Sequence, residues 1–369
     1  MNKKKIIIIA PDFYGIDKSI SKAFESFGFE VFLINSRTKL NLVEKISKKM
    51  MRKFPFTRII CNNLLGFFLD KENKKYLSYV KKENPALLFI IKGETIFPRT
   101  LELIKKEIRI PLVAYIWDDP FCSYAGQFSD DYRKNNFTEG MYLYDHIFVY
   151  DPYYLEEMKK LGISNVSYLP LATDIDKYKR VNLVKDEEQM YNFDISFVGT
   201  PYPNRVKILE NLTEFKLGVF GDGWERWFRK SKIPIYYKGK AVNEEVLKIY
   251  SFSKIVLNIH DPEAIYGVNT RTFDILACGA FELVDYKREL ENLFKVGEDI
   301  VCYKDIVDLK KLIRFYLNNP RERNNVAQNG RAKVWNSHTW NHRVKEVINI
   351  LTDKGLLIIK EIKQNSIAQ

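Results

Sequence analysis

Residues 5–34, KIIIIAPDFYGIDKSISKAFESFGFEVFLI, decide how the chain is read. Ile6, Ile7, Ile8 and Ile9 form an unbroken β-branched run, the pattern of a strand covered on both faces of a parallel sheet. The segment from Pro11 to Gly15 breaks the run. Ile20, Ala23, Phe24 and Phe27 then recur at helical spacing, so a helix is expected over 19–27, with Gly28 closing it. Residues 30–34 return as a strand. A strand, helix and parallel strand in succession imply a right-handed crossover.

The same alternation continues outward. Strands are expected at 86–91, 112–117, 146–150 and 166–169, and a helix at 153–161 before Gly162. The acidic, polar stretch 186–190 reads as a linker, after which the pattern restarts. Strands are expected at 193–198, 217–220, 235–237, 254–259 and 281–284. Helices are expected at 205–212, at 270–278 and, capped by Asn243, up to Tyr250. The tail carries helical stripes at 306–317, 321–334 and 338–351. The fold class is α/β, with two Rossmann-like doubly wound domains facing across a cleft. The expected boundaries are 1–180 for the first domain, 190–335 for the second, and 336–369 for a helix crossing back onto the first.

Bulk properties agree with two domains. At 369 residues, 46% hydrophobic and 14% aromatic, the chain can fill two cores. The formal net charge of +12 favours anionic partners, although Lys, Ile and Asn are abundant throughout and account for much of it. Cys61, Cys122, Cys278 and Cys302 lack CxxC spacing and are expected as reduced thiols in a cytoplasmic protein. No apolar stretch has the length of a membrane span.

In open parallel sheets the ligand loops follow the strands. In the second half these are Gly199-Thr200, Gly221-Asp222-Gly223, Gly239, His260-Asp261 and the run from Tyr266 to Arg271. Gly267, Asn269 and Thr270 lead into a helix whose free N–H groups suit a pyrophosphate, with Arg271 adding a charge-assisted bond. Asp274, one turn on, suits vicinal ribose hydroxyls. An ordinary glycine loop with an Arg271–Asp274 salt bridge fits the spacing equally well. In the first half, Asp118 and Asp119 end a buried strand before Pro120. They are the candidate catalytic carboxylates, of a kind that can take up a proton; capping a turn is the alternative. His260 follows a strand and suits phosphate or sugar, although a lone histidine is more often structural. Asp174-x-Asp176 has a metal-binding form but sits at the domain junction, away from the nucleotide loops. No metal site is expected.

Several motifs occur in a recognisable order. They are Phe197-Val198-Gly199, Val219-Phe220-Gly221-Asp222-Gly223-Trp224, Tyr237-x-Gly239, Leu257-Asn258-Ile259-His260 and the run from Asn269 through Asp274 to Gly279. Upstream stand Trp117-Asp118-Asp119-Pro120 and the run from Tyr168 to Asp174, and downstream His338-Thr339-Trp340-x-His342-Arg343. This series resembles the CgeB-like spore-maturation glycosyltransferases, a GT-B group. The resemblance implies a nucleotide-sugar donor bound by the C-terminal domain and an acceptor in the N-terminal one, with neither metal nor cofactor. It places Asp274 on the donor ribose, Asn269, Thr270 and Arg271 on the diphosphate, and Gly199 and Arg205 in the first donor loop. It also places the segment from Lys238 through Gly239 to Ala241 on the base. Tyr266 stands where many retaining relatives carry a second acidic residue, so the stereochemistry stays open.

The expected function is therefore metal-independent sugar transfer to a cell-surface glycan, a lipid-linked sugar or a protein. The alternatives are a degenerate glycan-binding or coat-assembly protein and a sugar-nucleotide epimerase. Nucleic-acid binding would rest on charge alone and is not expected. The stretch 39–58, from Lys39 to Arg58, mixes Lys45, Lys48, Lys49, Arg52 and Lys53 with Leu42, Val43, Ile46, Met50 and Met51. It reads either as a basic amphipathic helix for peripheral membrane contact or as the solvated face of a core helix.

Overall fold

The structure, a computed structural model, describes residues 4–36, 46–47, 49–51, 53–121, 134–182, 185–227 and 231–358. Two compact units emerge: Met1–Leu169 with Asn341–Gln369, and Pro170–Trp340. Each is built on a six-stranded sheet in which every pairing is parallel.

The first sheet contains β1 (Lys5–Ala10), β2 (Glu30–Asn35), β3 (Leu87–Ile91), β4 (Leu112–Ile116), β5 (His146–Val149) and β6 (Val166–Tyr168), in the order β2-β1-β3-β4-β5-β6. Ile6 to Ile9 are at most 1% exposed, as a strand covered on both faces requires. β1 pairs with β2 in the register Ile6↔Val31 and Ile8↔Leu33, the partner brought alongside by the helix Ile16–Ser26. Gly28, at φ 88, makes the turn out of that helix. The order reverses direction between β1 and β3, so the loops after these two strands flank the crevice of this sheet.

The second sheet contains β7 (Ile195–Val198), β8 (Leu217–Phe220), β9 (Tyr237–Gly239), β10 (Ile255–Asn258), β11 (Glu282–Asp285) and β12 (Val301–Tyr303), in the order β12-β11-β10-β7-β8-β9. The two-residue period of its strands divides two cores. Ile195, Phe197, Leu217, Val219, Ile255 and Leu257 face one side. Val198, Phe220 and Val256 face the other, against Ile275 and Cys278. Here the reversal lies between β7 and β10.

Three expectations need correction. Residues 186–190 are not a bare linker but lie within the helix Lys185–Tyr191; its Tyr191, and Phe193 just beyond it, bury against the second sheet. The strand expected at 235–237 begins at Tyr237, because Pro234 sits inside a 3-10 turn, Ile233–Ile235. Asn243 precedes the helix Glu244–Phe252 without capping it; at φ 51 and ψ −120 its side chain makes no cap bond. The short strand β12 and the 26-residue helix Arg58–Glu83 escaped the reading of the sequence. Of the stretch 39–58, residues 39–45, 48 and 52 lie outside the described residues; 46–47, 49–51, 53 and 58 are helical and Pro55–Thr57 form a 3-10 turn.

No helix among the described residues is long and apolar enough to cross a membrane. Cys61, Cys278 and Cys302 are free thiols, and Cys122 lies outside the described residues.

Candidate functional site

The loops after β7, β8 and β9 come together because three glycines let them. Gly199 N–H donates to Phe220 O (2.9 Å) and Gly221 N–H to Gly239 O (3.0 Å). A Cβ on Gly221, which lies at φ +135, would stand 2.2 Å from Gly199 O. Only glycine permits that approach. Trp224 Nε1 donates to the same Gly199 oxygen at 2.8 Å and fixes the loop from below. Lys238 is exposed on β9, and the neighbouring Lys240 pairs with Asp222 at 2.8 Å.

Two guanidiniums flank this turn. Arg271 and Arg205 lie over the Phe197 ring at 5.9 and 5.7 Å from its centroid. Arg271 also stands close enough to Gly199 that a Cβ there would be 3.1 Å from its NH2. Arg205 is 2% exposed and spends its donors on Ile259 O (2.9 Å) and Thr200 O (3.1 Å). It thereby ties the loop after β7 to the end of β10. Its closest carboxylate contact is Asp261, at 3.9 Å. Burial, and then the charge of Arg271, lower the Arg205 pKa to about 10. Two cations share one ring, at the N-terminus of a helix and beside the switch point, with the carboxylates of Asp261 and Asp285 standing further off. Such a place attracts anions.

The helix Thr270–Ala277 is capped by Asn269, whose Oδ1 accepts from Thr272 N–H at 3.3 Å. Beneath it lies a polar network that the sequence reading did not assign. Asn258, buried at the end of β10, accepts at Oδ1 from Arg271 (3.1 Å) and Asn269 (3.2 Å). Its amide faces Glu282 Oε1 at 2.8 Å, and Thr272 Oγ1 donates to the same oxygen at 2.9 Å. Glu282 is 1% exposed, and its Oε2 has no partner among the described residues. Burial outweighs these hydrogen bonds and raises its pKa to about 8. A carboxyl inside the apolar strand Phe281-Glu282-Leu283-Val284, and an amide ending Ile255-Val256-Leu257-Asn258, were the signals that could have revealed the network.

Asp274 does not bridge to Arg271. It accepts from Thr173 Oγ1 at 2.7 Å and interacts with the Tyr178 hydroxyl, and burial raises its pKa to about 7 against the pull of Thr173, Lys177 and Arg271. His260 is 1% exposed, and its Nδ1 and backbone N–H both meet Asp285 Oδ1 at 2.8 Å. Burial raises the Asp285 carboxyl, but the His260 charge and these bonds outweigh it and hold the pKa low. Gly267 is buried just before the capped helix. Asp174 caps its own turn, accepting from Asp176 N–H (3.0 Å) and Lys177 N–H (3.3 Å).

In the first unit, Lys92 and Gly93 follow β3 at the switch point with φ of 70 and 71. A lysine in the left-handed region is a strained choice of the kind found at functional turns. Lys92 pairs with Asp118 at the end of β4 and lies 5.0 Å above the Phe13 ring from the loop after β1. Glu94, Ile116, Pro120 and Phe137 complete a shallow recess around them. Asp119, 4% exposed, accepts from Phe121 N–H at 2.9 Å, which gives it a turn-capping bond.

The two wound parallel sheets are those of the GT-B fold. The family model described as glycosyl transferase-like matches residues 204–349. Among curated proteins the chain is similar to spore protein CgeB of Bacillus subtilis, 24% identical over 275 residues, covering 70% of this chain and 80% of the relative. The resemblance to CgeB thus runs over most of the chain. Sucrose-phosphate synthase from Thermosynechococcus elongatus superimposes with a TM-score of 0.67 at 12% identity, covering 96% of this chain and 99% of the synthase. Anabaena HepE, solved in complex with UDP and glucose, gives 0.65 at 12% identity over 95% of this chain and all of HepE (100%). At that identity both show the fold.

Proposed function

We propose that the chain is a glycosyltransferase that binds a nucleotide-sugar in Pro170–Trp340 and passes the sugar to a glycan, lipid-linked or protein acceptor, without a metal. The observation that carries this reading is the pair Arg205 and Arg271 around Phe197, beside Gly199 and the capped helix N-terminus. Arg271 and the free N–H groups of that helix offset charge on the leaving diphosphate, the larger share of the rate enhancement in such a transfer. Asp274 accepts from the ribose, Lys238 and Gly239 border the base, and His260 lies at the sugar–phosphate end. Asp118, held by Lys92, takes the acceptor proton; Asp119 shapes its turn. HepE binds UDP and glucose, so uridine nucleotides head the test.

Isothermal titration or thermal shift with UDP, GDP, CDP, dTDP and ADP, each with and without EDTA, tests donor class and metal dependence together. A response to one nucleotide, unchanged by EDTA, is expected. Loss of that response on chelation would refute metal independence, and silence across the panel would refute donor binding. Arg271→Ala should weaken the nucleotide about tenfold or more with an unchanged melting curve. Asp118→Asn should spare donor binding and depress transfer by a factor on the order of 100.

One observation favours a second reading, a nucleotide-binding coat or scaffold protein without turnover. Asp274 is already engaged by Thr173 and Tyr178, and Asp119 by its own turn. Tight donor binding with neither hydrolysis nor transfer would decide for it.

A further inference from the structure

We propose that the first three turns of the helix Arg58–Glu83, with the segment just before it, dock the protein on an anionic lipid bilayer. The helix has two unlike outer regions. Its inner stripe, Cys61, Leu65, Leu69, Tyr76 and Val80, is at most 4% exposed and belongs to the core. On the opposite side Ile59 (74%), Ile60 (69%), Leu64 (46%) and Phe67 (64%) face outward, continuing a line begun by Phe56 (80%). From Asp70 onward the outer side turns ionic. Lys74 pairs with Asp70, and Lys75 with Glu72. The apolar outer face therefore stops at a defined point rather than fading along the helix.

Single exposed apolar side chains are ordinary; a cluster is not. Of the 22 large apolar side chains exposed among the described residues, eight lie between Ile46 and Phe67. Charge selects the occupant. From Ile46 to Leu69 the sequence carries Lys48, Lys49, Arg52, Lys53 and Arg58 and not one Asp or Glu. Lys49 and Lys53 are exposed, and Lys53 lies 5.4 Å from the Phe54 ring. A protein partner of mixed charge would be met by carboxylates as well as cations. Aromatic and aliphatic side chains beside uncompensated lysines match the headgroup and acyl boundary of an anionic leaflet.

The test uses the full chain and vesicles of pure phosphatidylcholine or of phosphatidylcholine with phosphatidylglycerol, read by co-sedimentation at low and high salt. Binding to the anionic vesicles alone, reduced by salt, is expected. Lys49→Glu with Lys53→Glu should lower it about tenfold or more. Ile60→Ser with Phe67→Ser should do the same with the cations intact, and both variants should keep the wild-type melting curve and nucleotide binding. That last control separates this surface from the donor reading, on which it does not depend. If the apolar variant binds as well as wild type, the attraction is only the net charge of +12 and the proposal fails. It fails too if no vesicle is bound, or if the serine variant instead dissolves a dimer seen by light scattering, which would assign the face to a second copy.

Discussion

Replacing Glu282 by Gln should stabilise the protein at neutral pH and leave it nearly unchanged in acid. The carboxyl is 1% exposed, with one oxygen bound by Asn258 and Thr272 and the other unpartnered among the described residues. Burial, partly offset by those two bonds and by Arg271, lifts its pKa from 4.5 to about 8. Between those values the unfolded chain has lost the proton while the native state retains it. Stability therefore falls as pH rises, by about 1.4 kcal/mol for each pH unit crossed. At pH 7.5 the accumulated loss is at most about 4 kcal/mol, and relaxation around the site reduces it to roughly half that figure.

Glutamine preserves the accepting oxygen, cannot ionise, and differs little in volume. Its amide inherits the unpartnered position, a pH-independent cost of about 1–2 kcal/mol that the protonated carboxyl of the wild type bears as well, so it drops out of the comparison. The difference between variant and wild type should thus climb by roughly 2–4 kcal/mol from pH 5 to pH 7.5. Thermal midpoints would separate by several degrees over that range, at about 2–4 °C per kcal/mol for a unit of this size. Melting both proteins at pH 5, 6.5 and 8 reads the slope directly. Parallel midpoints across the series would mean that Glu282 ionises normally and that the network under Arg271 is not dry.

Three further outcomes follow from the donor loops. If the Asp274 carboxylate grips the ribose, nucleotide affinity should rise several-fold between pH 6 and 8, because its pKa is raised to about 7; titrations of Asp274→Asn should be flat across the same range. Gly221→Ala should cost roughly 2–4 kcal/mol in urea denaturation, since its Cβ would lie 2.2 Å from Gly199 O at φ +135, and a neutral result would disprove the close approach of the two loops. Asn258→Leu should lose nucleotide affinity several-fold by releasing Arg271 and Asn269, whereas Asn258→Asp should retain part of it by restoring an acceptor to both.

The amino-acid sequence exposes the strands more readily than the site because the two obey different rules. Runs such as Ile6 to Ile9 are decided locally by what must be covered on both faces, and β1 follows from them. Gly221 and Gly239 can be placed after strands from sequence, but their mutual contact with Gly199 depends on strand order, which a single chain does not display. The helix Arg58–Glu83 was missed for a physical reason. It is apolar on two opposite sides for its first three turns, so no single stripe stands out at helical spacing.

The carboxylates divide along the same line. Asp118, Asp119 and Asp274 are visible as acidic residues at strand or helix ends. Only the fold reveals that the first meets Lys92, the second Phe121 N–H and the third Thr173. Glu282 was passed over because a carboxyl inside a strand looks like an interruption of the pattern. Its position makes physical sense once Arg271 is considered. If Arg271 meets a diphosphate, as proposed, a full carboxylate holding it would neutralise it beforehand. Asn258 holds it with a neutral oxygen, and Glu282, kept protonated by burial, holds Asn258 in turn. The arrangement orients the cation while leaving its charge available to an incoming anion.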